Sequence, residues 1–191
     1  MTADTEDRLL DATLACVARF GVSKTTLDDV AREAGCSRAT LYRCFPSRRD
    51  LFLGVVGREV ARLTTAVHDA VRPDGSLADA LTATIVTVSR HLAAMPSLQF
   101  VLDHEPDALM PYLCFDRADL VFGTASAVAV EVLEPWLAAA AAQRAGELVA
   151  RILLAYIMPT EISLLTDPAS VRALVDDFVV TGLERCATTK G

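Results

Sequence analysis

Apolar residues recur at helical spacing along most of the chain, and glycines, prolines and capping residues cut that pattern into segments. Leu27, Val30, Ala31 and Ala34 fall at i, i+3, i+4 and i+7, one stripe of a short helix. No alternation of β-branched and polar residues reaches strand length. The pattern predicts a first helix from near Asp4 to the break at Gly21-Val22-Ser23, a second over 26–34 and a third over 37–45. Pro46-Ser47 opens a fourth that reaches about Val71, and Ser76, after the Pro73-Asp74-Gly75 turn, caps a fifth to about Ala94. Pro96, Pro106 and Pro111 divide the following stretch into short pieces. A long apolar helix is expected from about Asp116 with a kink at Pro135, another over 146–165, and a last from Pro168 to near Gly182. The expected class is therefore all-α, with about nine helices.

Composition agrees: hydrophobic residues make up 52% of the 191 positions and aromatics 6%, and alanine and leucine, strong helix formers, dominate. That length allows one or two domains. The most apolar stretches, 121–142 and 148–165, are interrupted by Glu131, Glu134 and Pro135 and by Arg151, Pro159 and Glu161. A charge near a bilayer centre costs ~2.5–3.5 kcal/mol on insertion scales, so both stretches read as buried helices and no membrane partner is expected. The first seven residues are acidic and polar, unlike the basic-then-apolar layout of a secretory leader, which points to a cytoplasmic protein. Cys16, Cys36, Cys44, Cys114 and Cys186 form no C-x-x-C pair, and His68, His91 and His104 do not fall at ligand spacing beside them. Reduced thiols, no metal and no cofactor are the expectation.

A net charge of −7 argues against nucleic acid until its distribution is considered. From Ser37 to Arg49 the charged residues are Arg38, Arg43, Arg48 and Arg49, with no acid among them, whereas the chain after Arg62 holds sixteen acids against eight bases. A basic face on an acidic body suits contact with phosphate at one end only. Around that face the local signals converge. Thr26 with Asp29 forms a capping box, Gly35 permits a sharp turn, Ser37 is a second cap, and Ala31 is small where two helices would cross. With Leu41 and Phe45 inward, Arg38, Ala39, Tyr42 and Arg43 face outward, flanked by Ser37 and Thr40. Such a helix fits the major groove, where arginine grips a guanine edge and an Ala or Thr methyl meets thymine. Ser37, Thr40, Tyr42 and Arg48 can donate to phosphate oxygens, and the helix starts at Thr26 and Ser47 add N–H groups.

The stretch from Gly21 to Phe52, with its Thr25-Thr26, Ala34-Gly35-Cys36-Ser37, Thr40-Leu41-Tyr42 and Phe45-Pro46-Ser47 elements, resembles the DNA-binding domain of TetR-family (tetracycline-repressor-like) transcriptional regulators. The resemblance is strong over about residues 9–56. It implies phosphate contacts from Thr25, Thr26, Tyr42 and Arg48, base contacts from Arg38, Ala39, Thr40 and Arg43, and a homodimer on a double-stranded DNA operator. There are departures. Arg48 stands where the family usually has Lys, Cys44 where many members carry His or Tyr, and Cys16 and Val17 replace a common Leu and Phe. The domain division so read is 1–50 for DNA binding and 51–191 for effector binding and dimerisation.

The second part offers Phe100, His104, Met110, Tyr112, Phe122 and Tyr156 as effector contacts, each of which can equally be core. Scarce charge around them points to an apolar small molecule. The 103–105 run of Asp, His and Glu reads as a polar helix end rather than a catalytic or metal cluster. No G-x-S-x-G, Walker loop or dinucleotide fingerprint occurs, so no enzyme is expected. Leu148, Val149, Ile152, Leu153, Tyr156 and Ile157 leave little polar face, and Val171, Leu174, Val175, Phe178 and Val179 form another broad stripe, as a partner surface would. The expected function is a ligand-released repressor on a pseudo-palindromic operator. The alternative is a helical ligand-binding or scaffold protein whose DNA-binding domain is weakened at Cys44.

Overall fold

The computed structural model describes residues 3–108, 118–157 and 162–180, which form helices and turns with no strand among them. Among the described residues nine α-helices follow in order: α1 (Ala3–Lys24), α2 (Leu27–Glu33), α3 (Arg38–Cys44), α4 (Arg48–Ala70), α5 (Leu77–Ala93), α6 (Pro96–His104), α7 (Ala118–Leu133), α8 (Ala139–Ile157) and α9 (Pro168–Leu174). The last continues as a π-helical turn, Val175–Val180. No single helix among the described residues is long and apolar enough to cross a membrane.

The helix starts follow the cap residues. Thr26 and Ser76 each close a capping box with an aspartate three positions on, at Asp29 and Asp79. Ser37 accepts the Thr40 N–H, and Asp167 accepts that of Ser170. Two expectations in the second half are corrected. Pro135 does not kink a long helix: α7 ends at Leu133, and Pro135 lies in the turn before α8. A proline at that point has no N–H and clashes with the carbonyl four residues back, so the helix stops. Trp136 fixes the turn by donating its indole N–H to the Gly75 carbonyl at 2.9 Å. Gly146 does not start a helix either; it sits inside α8 against Ala125 and Ala129 of α7.

Packing divides the chain into two compact units, 1–62 with 95–109, and 63–94 with 110–191. This cut differs from the division at residue 50, because α6 packs with α1 in the first unit. The first core gathers Leu9, Leu10 and Cys16 of α1, Val30 and Ala31 of α2, Leu41 of α3, and Leu51 and Val55 of α4. Cys36 and Cys44 pack half-buried at its edge. Burial pushes the Cys16 thiol pKa up, so this cysteine acts as a small apolar filler. The second core is aliphatic, centred on Leu81 and Ile85 of α5, Val132 and Leu133 of α7, Ala142, Ala145 and Val149 of α8, and Val171, Val175 and Val179 of the last segment.

Candidate nucleic-acid interface

Between α2 and α3 the chain turns at Gly35, whose φ of 64° is open to glycine, and the Cys36 N–H returns to the Ala31 carbonyl at 3.0 Å. Ala31 is buried where the helices cross, and Leu41 is the one buried residue of α3. Phe45 is half-buried beside them. The opposite side of α3 is left in the open: Ser37, Arg38, Ala39, Tyr42 and Arg43 are exposed and Thr40 is half-buried. Tyr42 is 49% exposed, a large ring with no place in the core.

These residues are differently engaged. The Ser37 hydroxyl accepts the Thr40 N–H at 3.1 Å and lies 3.0 Å from the Thr40 hydroxyl. Thr26, exposed at the start of α2, donates its hydroxyl to Asp29 at 2.5 Å. Arg38 forms an ion pair with Asp28 of α2, a partner ten positions away that the sequence does not signal. Arg43 is exposed and unpaired among the described residues. Arg48 and Arg49, also exposed, continue the basic surface at the start of α4.

Two of the expected phosphate contacts also serve the link between α1 and α2. Thr25 is buried, and its hydroxyl donates to the Gly21 carbonyl at 2.6 Å, so its side chain braces the link instead of joining the outward face. Arg48 donates from Nε to the Thr25 carbonyl at 3.2 Å and from a terminal nitrogen to the Val22 carbonyl, with its guanidinium 4.7 Å from the centre of the Phe52 ring. A guanidinium has further N–H groups, so this bracing leaves donors for a phosphate.

The expected effector contacts belong to both units. In the first unit Phe100 stacks on His104 at 4.4 Å between ring centres, and His104 Nδ1 lies 3.0 Å from the Phe100 carbonyl. His104 is exposed, a polar helix end as expected. In the second unit half-buried Phe122 carries the Arg151 guanidinium 4.6 Å above its ring, and Tyr156 packs half-buried against the core. Met110 and Tyr112 lie outside the described residues.

Residues 9–55 match the family described as bacterial regulatory proteins, tetR family. A Mycobacterium bovis protein described as an uncharacterised HTH-type transcriptional regulator is 36% identical over 103 residues, 54% of this chain and 52% of its own length. The chain thus spans about half the length of the curated relatives it matches at that level. A second such M. bovis protein is 28% identical over 94% of this chain and 88% of its own. Among solved structures, the TetR family repressor AlkX from Dietzia sp. superposes with a TM-score of 0.66 at 24% identity, covering 94% of this chain and 95% of AlkX. The fatty acid degradation regulator FadR from Bacillus halodurans gives 0.68 at 16%, covering 94% and 98%. Residues 9–55 are thus matched by the tetR family of bacterial regulatory proteins, and the fold of nearly the whole chain is like that of solved regulators of this kind.

Proposed function

We propose that the protein is a sequence-specific DNA-binding transcriptional regulator, a repressor that binds a pseudo-palindromic operator as a homodimer and leaves it when a small apolar effector binds. Residues 1–50 carry the DNA contacts and 51–191 the effector site and the dimer surface, and the site of action is the cytoplasm, with the DNA. The observation that carries the reading is the two-sidedness of α3, anchored inward by Leu41 while Arg38, Ala39, Tyr42 and Arg43 stand exposed. A helix so presented can lie in a major groove, with two-fold symmetry placing the second copy ~34–36 Å away in the next groove. Arg38 and Arg43 are the base readers, and Tyr42, Ser37, Thr26 and Arg48 hold the phosphates. Arg38→Ala is expected to cost ~1–3 kcal/mol on the cognate site and to relax preference at one base pair. Binding titrations against a set of single-base operator variants check this. An unaltered preference removes Arg38 from the reading set.

Three large apolar side chains of the second unit support the homodimer: Phe178 is 77% exposed, Leu164 56% and Leu148 39%. Phe178 contributes little to the core of its own chain, so Phe178→Asp is expected to leave the helical signal intact while weakening self-association by roughly tenfold or more, the share one buried aromatic carries in an interface. Sedimentation over a range of concentrations reads this, and a dimer as tight as the original removes Phe178 from the interface. The effector is read as apolar because the second core is almost wholly aliphatic, with Tyr156 at its margin. It releases DNA only by binding better to a state in which the two α3 helices no longer match successive grooves.

A further inference from the structure

Glu105 stands immediately after α6, yet its carboxylate serves the link between α1 and α2, 82 residues earlier in the chain. One oxygen accepts the Val22 N–H at 2.6 Å and the Ser23 N–H at 3.2 Å, and the other accepts the Ser23 hydroxyl. These donors are free because Gly21, at φ 82° and ψ 171°, interrupts the helix, and the turn that restarts after it has no carbonyl behind its first N–H groups. A carboxylate there acts as an N-cap supplied from another element. Gly21 also makes the seat, since a Cβ at that position would stand 2.6 Å from the carboxylate carbon of Glu105. The Ser23 hydroxyl above all, then the Ser23 and Val22 N–H groups and the Lys24 charge, hold the Glu105 carboxyl below its ordinary pKa, against an opposing push from desolvation. It is therefore ionised throughout the neutral range.

The same link holds Arg48. Val22 is gripped on both of its polar groups, the N–H by Glu105 and the carbonyl by Arg48, and the Thr25 carbonyl takes the Arg48 Nε. We infer that Glu105 is a positioning residue for DNA binding, fixing the Gly21–Thr25 link and through it the guanidinium of Arg48, a role that rests on the DNA-binding reading above. Two other roles predict different behaviour. A carboxylate that merely lies near the DNA repels phosphate, so its neutralisation would tighten binding. A cap that only stabilises the fold would lower the fraction of folded protein and leave the salt dependence of binding unchanged.

The full chain is titrated with duplex from the sequence flanking its own gene and with random duplex at low salt, each over a range of salt concentrations. Glu105→Gln is expected to weaken binding by roughly tenfold, the scale of a lost hydrogen bond to a charged group. It is also expected to flatten the slope of log affinity against log salt by about one unit, as one lost phosphate contact does. Arg48→Ala should flatten the slope equally, and the double variant should add little to either. Ser23→Ala, which removes only the hydroxyl donor, gives a smaller loss in the same direction and serves if the Gln variant fails to fold. Unchanged or tighter binding by the folded Glu105 variant overturns the role, as does weaker binding with the original slope. If the unaltered chain binds neither duplex, the DNA-binding reading falls and this role with it; if it binds and Glu105→Gln is indistinguishable from it, only the role of Glu105 falls.

Discussion

Leu41→Ala is expected to destabilise the helix-turn-helix by roughly 2–5 kcal/mol. Leu41 has no solvent exposure and is the one buried residue of α3. It joins α3 to Val30 and Ala31 of α2, Leu9 of α1 and Leu51 of α4, all in one small cluster. A seven-residue helix has too few internal hydrogen bonds to persist undocked, so its geometry depends on that side chain. Removing it leaves a cavity that a ring of short helices fills incompletely, on a scale comparable to a large share of a domain's total stability of ~5–15 kcal/mol. Amide hydrogen exchange should show protection lost first in α2 and α3, with operator binding lost at the same temperature. Unchanged exchange in α3 would mean that the helix is held by something other than Leu41.

Gly146→Ala is the second large effect, and its sign runs against helix propensity. Alanine gains about 1 kcal/mol over glycine within a helix. Here, however, the new methyl would stand 2.6 Å from the Ala129 Cβ and 2.7 Å from the Ala125 carbonyl oxygen. Neither is the free end of a flexible side chain, so α7 and α8 must separate. Overpacking of this kind costs ~1–3 kcal/mol and spreads to every contact along the pair. The expected result is a net loss of stability and a lower Tm for the second unit, read by calorimetry. A raised Tm would show that the two helices part without cost.

The first unit is legible in the sequence because its signals are local. A cap and the N–H it satisfies lie three residues apart, as at Thr26 and Asp29 or Ser37 and Thr40, and the burial of Leu41 follows from a stripe within one short segment. Even there, the roles of Thr25 and Arg48 as braces of the α1–α2 link depend on Gly21 and Val22, groups that adjacent residue types do not reveal. The second unit is less legible because its helices are apolar over broad faces, so hydrophobicity cannot say where one ends. Pro135 carries the same local signal whether it bends a helix or stops one, and Trp136 meeting Gly75 belongs to the stopped arrangement. Gly146 resembles a boundary in isolation and becomes a crossing point only when Ala129 is known to face it. Glu105 is the extreme case: the acidic run that contains it reads as solvated, and its partners are remote in the chain.

If Arg38 reads a base as proposed, its pairing with Asp28 sets what that contact must outweigh. Both side chains are well exposed, at 68% and 48%, so separating them costs only about 0.2–1 kcal/mol. That cost arises only where Arg38 leaves Asp28 for a base. What differs is the compensation: a guanine edge offers two acceptors in the plane of the guanidinium, while an adenine or thymine at that step leaves the arginine better off with its own aspartate. In that reading the acid gives the arginine a resting partner on wrong sequences, and selection rests on the surplus of the guanine contact over the ion pair it replaces.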